Sequence, residues 1–351
     1  MKKIVNKALF YKEWINVKWI TLLTILVLLL YKVYGVMSLL NQNKMWLKDH
    51  NNGSWIARWF NNGLFGSERY YFIMVFIVMI LAITLFIGEK TSETQGFIAS
   101  MPFTRKEIIL NKWFVGVLCL LISFVVTYIF LSLFYFANLK DLNTTLNPYS
   151  DIVKWFFMDT FQYVCIFTFM MLIQTVMGNS IVSSIVGGII LAVPMFVAGV
   201  VQDLIGRHYG FTESLYMVYD KINGWVNIYG YNGAHEEWYN PEINSNNISY
   251  KNCYYLNYKL KLLILFILTC LFLYLAYVAY KKRSLEYNLR LSVFNSLSHV
   301  FIWGFAICLG LVAGSIFGNE RLRVFGICFI VFTIIGYFIS KLLLKVLSSG
   351  K

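Results

Sequence analysis

The sequence predicts an all-α polytopic membrane protein of about eight transmembrane helices, preceded by an N-terminal interfacial amphipathic helix. Three observations carry this. Of the 351 residues, 59% are apolar and 13% charged, where an ordinary soluble domain has about 25% charged. The mean hydropathy is +0.64. Eight separate runs, near residues 19–40, 70–88, 113–137, 155–177, 181–201, 260–280, 299–317 and 322–344, are each apolar enough to enter a bilayer. At 1.5 Å per residue, about 20 residues cross the ~30 Å hydrocarbon core. Helix is the only conformation for such runs, because each satisfies its own backbone hydrogen bonds in lipid. Soluble enzymes, nucleic-acid readers and secreted disulfide scaffolds are excluded.

The first element is residues 1–18. Ile4, Ala8, Tyr11, Ile15 and Trp19 recur at helical spacing, with Lys3, Lys7, Glu13 and Asn16 largely off that stripe. The pattern is that of a helix lying in the headgroup region before the chain turns into the membrane. Residues 1–18 also lack the shape of a cleavable signal, being polar-rich and followed by too long an apolar run.

A six-helix core follows over 19–280, with two long aromatic-rich outer loops at 41–69 and 202–259. The first contains Trp46, Trp55, Trp59, Phe60 and Phe65, and the second is rich in Tyr, Trp and Asn. Trp and Tyr favour the membrane–water boundary, so these loops are expected to form a cap on the outer leaflet. Residues 281–351 add two further transmembrane helices and a cytoplasmic tail.

Orientation follows from Lys and Arg. With the N-terminus inside, the inner segments hold 16 of the 30 basic residues, among them Lys2, Lys3, Lys7, Arg105, Lys106, Lys112, Lys281, Lys282 and Arg283. The outer segments hold about 12, offset by 11 acids. Both termini are therefore expected in the cytoplasm. The net charge of +13 is a topology signal, and no nucleic-acid partner is needed to explain it.

Catalytic motifs do not survive inspection. Gly88-Glu-Lys-Thr91 lacks the frame of a phosphate-binding loop, and His235-Glu236 has Tyr239 where a second zinc ligand would stand. Cys119, Cys165, Cys270, Cys308 and Cys328 fall in apolar runs, with Cys253 alone in a polar loop. No enzyme and no metal site is expected. Two charges, Lys32 and Asp159, lie inside apolar runs at similar predicted depth. Their similar depth permits an ion pair; snorkelling to the outer headgroups is the favoured reading. Ala306, Gly310 and Gly314 recur every four residues, a small-residue stripe that lets a second helix approach closely.

The segment from Gly88 to Lys112 resembles the loop between the second and third helices of ABC-2 type exporter permeases. Glu89, Glu93, Pro102, Arg105, Glu107 and Lys112 stand at matching places, with Met101 for the usual Leu. Phe10-Tyr-Lys-Glu-Trp14 resembles that family's interfacial helix, and Tyr280-Lys-Lys-Arg-Ser-Leu-Glu286 its basic exit from the sixth helix. The resemblance covers about 1–286. It implies one transmembrane half of an exporter, served by a separate cytoplasmic ATPase dimer and a second permease subunit, identical or different. ATP and Mg would bind in the ATPase, with no cofactor in this chain. Residues 91–101 would be the coupling helix, with Glu89, Glu93, Phe97, Ile98, Pro102, Arg105 and Glu107 carrying the contact. The substrate class implied is an amphiphile (lipid, peptide or antibiotic), and the location a bacterial cell membrane, among lipid. Family members usually have six helices, so the last two are a departure. The competing reading is a membrane sensor or assembly module that binds a ligand through its aromatic outer loops.

Overall fold

The computed structural model describes residues 7–49, 63–65, 68–90, 103–141, 144, 147–239, 250–283, 295–318 and 322–349. Among these, ten helices are α1 Lys7–Leu28, α2 Tyr34–Asp49, α3 Glu68–Lys90, α4 Arg105–Ala137, α5 Ser150–Val176, α6 Ser180–Tyr209, α7 Glu213–Val226, α8 Tyr258–Lys282, α9 Asn295–Phe317 and α10 Leu322–Ser349. Eight helical stretches are long and apolar enough to cross a membrane, and they coincide with the eight runs read from the sequence. The protein is an all-α polytopic membrane protein. The chain divides into two compact units, one of residues 1–81, 110–168 and 230–272, the other of 82–109, 169–229 and 273–351.

In the first unit, α1 does not stop at residue 18. No proline or glycine interrupts Lys7–Leu28, so residues 7–18 are the first three turns of one helix that continues through a π turn, Leu29–Val33, into α2. The separate interfacial helix expected from the sequence is thus fused to the first span. Its apolar stripe faces outward, with Tyr11 and Trp19 exposed, while Leu9, Glu13, Val17 and Thr24 face the interior. Further along, the buried positions Leu28, Lys32, Val36 and Leu40 recur every four residues. That interval exceeds the 3.6-residue α pitch, and the wider π turn absorbs the mismatch.

α1 packs parallel to α4. Glu13 meets Lys112, and two turns further on the Thr21 hydroxyl donates to the Cys119 sulfur at 3.0 Å while Ser123 donates to the Thr21 carbonyl at 3.2 Å. The aromatic core is Phe124 stacked on Tyr163, with centroids 5.9 Å apart, and tilted against Trp155. Phe167 lies so close over Gly116 that any Cβ there would collide with its ring. A short antiparallel hairpin pairs β1 His235–Tyr239 with β2 Tyr250–Tyr254, the one element of extended structure among the described residues.

In the second unit, the chain continues past α6 into residues 211–229. They fold back along it. The chain reverses at Gly210, whose φ of 91° suits glycine, and Thr212 caps α7 by accepting from the Leu215 N–H. Contacts then march backward down α6. The Phe211 ring covers Gly206, the Tyr219 hydroxyl faces Gly199, and the Tyr229 hydroxyl donates to the Gly188 carbonyl at 2.8 Å. Burial pushes the Tyr229 pKa up, holding that hydroxyl as a donor. Leu215, Tyr219 and Val226 recur at helical spacing on one side of α7, while Tyr216, Met217 and Val218 are exposed.

Candidate coupling region and buried charge cluster

Glu93, Phe97, Ile98 and Pro102, and with them the whole of 91–101, lie outside the described residues. The residues on either side of that segment are described, and each is fastened. On its C-terminal side, Thr104-Arg-Lys-Glu107 forms a capping box. The Thr104 N–H donates to Glu107 Oε2 at 2.8 Å and the Glu107 N–H donates to Thr104 Oγ1 at 3.3 Å. Two amide donors at the start of α4 are thereby satisfied.

Arg105 turns away from α4 to the end of α8. Its guanidinium donates to the carbonyls of Lys281 at 3.1 Å and Tyr280 at 3.5 Å, and to that of Arg283. The last carbonyls of a helix have no partner within it and carry its negative dipole end, so a guanidinium there completes the terminus chemically and electrostatically. Burial holds the Arg283 guanidinium below its usual pKa, opposed by Tyr280 and Glu89 nearby.

On the N-terminal side, the Tyr280 hydroxyl donates to Glu89 Oε2 at 3.0 Å. The adjacent Lys90 is buried, and its ammonium donates to Gln174 Oε1 at the end of α5 and to Ser183 Oγ at the start of α6. Gln174 in turn donates to the Ser180 carbonyl at 2.7 Å and to Ser184 Oγ at 2.9 Å. Asn179 caps α6 by accepting from the N–H groups of Ile181 and Val182. The two sides of 91–101 therefore hold the ends of α3, α4, α5, α6 and α8. Glu89, Arg105 and Glu107 were singled out in the sequence. Lys90 and Gln174 were not, and the available signal was a glutamine inside one apolar run and a lysine just past the end of another.

The same holds for Glu13 in the first unit. Its carboxylate lies 3.0 Å from the Lys112 ammonium, with both side chains 3% exposed or less. The sequence reading left Glu13 on the polar side of an interfacial helix. A lone acid between Leu9 and Val17, on the side opposite Tyr11 and Trp19, was the signal.

Lys32 and Asp159 are both interior, 3% and 1% exposed, so neither snorkels to the headgroups. The link between them runs through Tyr70. The Lys32 ammonium donates to the Leu64 carbonyl and sits 4.1 Å from the Tyr70 ring centroid. The Tyr70 hydroxyl donates to Asp159 Oδ2 at 2.7 Å, and the Asn232 amide donates to Asp159 Oδ1 at 3.0 Å. The Tyr71 hydroxyl donates to the Asn232 carbonyl at 3.2 Å. A charge this deep survives only with such partners, and here they fasten the chain just before β1 to α3 and α5.

In the second unit, Gly310 lies against Thr333 and the Phe329 carbonyl, Gly314 against the Phe325 ring, and Ala306 against Gly336. The small-residue stripe of α9 faces α10.

Eight membrane-spanning helices make this an all-α multi-pass membrane protein. The profile of the ABC-2 family transporter proteins matches residues 11–285, more than three quarters of the chain, and the protein belongs to that family. No curated protein and no solved structure matches. The matched range includes Glu13, Lys32, Asp159 and every fastened residue around 91–101, and it ends before α9. Membership makes the chain the transmembrane component of an ABC transporter, and implies association with an ABC ATPase.

Proposed function

We propose that the chain is the permease subunit of an ABC exporter, moving an amphiphile outward under the drive of a separate ATPase that docks on the 91–101 segment. ATP and Mg bind in that ATPase, which works as a dimer beneath two permease subunits. Both termini and the 91–101 segment face the cytoplasm in this reading, because the Lys- and Arg-rich segments then lie on one side. The parallel packing of α1 and α4 supports it, since the two helices then start on the same side.

The observation that carries the proposal is the fastening on both sides of 91–101. Glu89 and Lys90 hold α3 to α8, α5 and α6, while Arg105 holds α4 to α8. Side-chain clamps of this kind transmit a rigid displacement where a solvated loop would absorb it. The apolar Phe97 and Ile98 are the contact offered to the partner.

Affinity purification of the tagged chain from its native membranes tests this. An ABC ATPase should co-purify, and Phe97→Asp with Ile98→Asp should remove it, because an apolar contact is exchanged for two desolvated charges. Normal co-purification by that variant overturns the docking assignment. Recovery of the native chain with no ATPase favours the sensor reading.

A further inference from the structure

One outer wall of the first unit carries a built apolar groove. It has a volume of about 670 Å³ and lies between α4, at Phe130, and the face of α1–α2 from Leu22 to Met37. Every lining residue is apolar or aromatic. Leu22, Leu26 and Leu30 stand half exposed along it.

We infer that this groove binds one acyl chain of an anionic bilayer lipid, with the headgroup at Lys18. Three features point to that occupant. Length is the first. Leu22 to Met37 spans roughly 20 Å of helix, enough for the chains of one leaflet, whose share of the hydrocarbon core is about 15 Å. Charge is the second. Lys18 and Trp19 sit one turn before Leu22 on the same face, both exposed, with the ammonium 5.5 Å from the indole centroid. The acid near this end, Glu13, is turned inward between the ammonium groups of Lys112 at 3.0 Å and Lys12 at 3.8 Å and does not repel an incoming anion. A lysine beside a tryptophan at the end of an apolar run suits a phosphate above and a glycerol backbone below.

The third feature is the π turn. Leu29–Val33 forms part of the groove wall. Its wider winding turns Lys32 into the interior while Leu29, Leu30 and Val33 face the groove. In a regular α-helix the four-residue spacing of the buried side chains would drift, and the exposed apolar face would lose its straight run beside Phe130. π turns recur at functional positions. The site is independent of the coupling assignment and requires only that the span lie in a bilayer.

The test uses the full chain in nanodiscs of equal parts phosphatidylglycerol and phosphatidylcholine, exchanged into detergent, with retained lipid counted by mass spectrometry. Wild type should retain phosphatidylglycerol over phosphatidylcholine several-fold. Lys18→Glu should cut retained phosphatidylglycerol at least threefold at an unchanged melting temperature. Leu26→Trp with Leu30→Trp, which fills the groove, should lower both lipids. Lys18→Glu leaves the lining intact, so it decides the matter even where the tryptophan variant does not fold. Equal retention in wild type and Lys18→Glu overturns the site and leaves only annular lipid. Efficient disulfide formation between two copies of Leu26→Cys in nanodiscs also overturns it, by assigning the groove to a second copy of the chain.

Discussion

Glu13 and Lys112, 99 positions apart, meet at 3.0 Å where water scarcely reaches either. A buried pair of this kind adds little net stability when intact, yet losing one partner strands the other's charge at about 3–5 kcal/mol. Lys112→Met should therefore lower the melting temperature of the purified protein sharply. Glu13→Leu with Lys112→Met should recover most of the loss. A double variant as unstable as the sum of the singles would show that the two side chains act separately.

Arg105 should matter to α8 rather than to its own helix. Arg105→Ala removes the guanidinium from three carbonyls, an effect of about 1 kcal/mol. Hydrogen exchange in the last turn of α8 should speed about fivefold, with the first turn of α4 slower to respond because its capping box is intact. Unchanged exchange at Tyr277–Lys282 would count against the cap.

Asp159 and Lys32 should behave as one unit through Tyr70. Asp159→Leu removes the carboxylate that the Tyr70 hydroxyl and the Asn232 amide donate to and that balances the nearby Lys32 charge, and should cost about 3–5 kcal/mol. Lys32→Met in the same chain should restore part of that, and Tyr70→Phe should lower the coupling between the two. Thermal melts of wild type, Asp159→Leu, Lys32→Met and the double variant form the cycle that measures it, repeated with Tyr70→Phe present.

Gly310→Leu and Gly314→Leu should each destabilise the α9–α10 hairpin by about 1–3 kcal/mol through overpacking. A Cβ alone at Gly310 would already overlap Thr333. Gly304→Leu, where a Cβ meets nothing within 4 Å, is the control and should be close to neutral. Limited proteolysis between the two helices reads the difference.

Much of this architecture was legible in the sequence because lipid enforces it. A run of about 20 apolar residues has one solution, and all eight runs took it. Thr104 and Glu107 carry the spacing of a capping box within one turn, a signal present in the sequence although Glu107 was expected to matter only for docking. The partners were not legible. Nothing near Glu13 names Lys112, and nothing near Lys90 names Gln174, because those pairs form only when separate helices pack. The fold-back of α7 was hidden for a related reason. Its aromatic and polar composition suits the headgroup zone and the flank of another helix equally well, and Tyr229 on Gly188 decides between them only in three dimensions. The π turn was invisible because it depends on which of Leu28, Lys32, Val36 and Leu40 end up inside.

That turn makes the first span two helical phases spliced by the width of a single residue. Winding Leu29–Val33 as regular α-helix with no residue removed would rotate everything after it by roughly 100°. Lys32 would leave its place above Tyr70, and the residues now walling the groove would swing away from Phe130. The interior charge and the exterior groove, on opposite sides of one helix, are thus set by the same local winding, and neither can be re-aimed without the other.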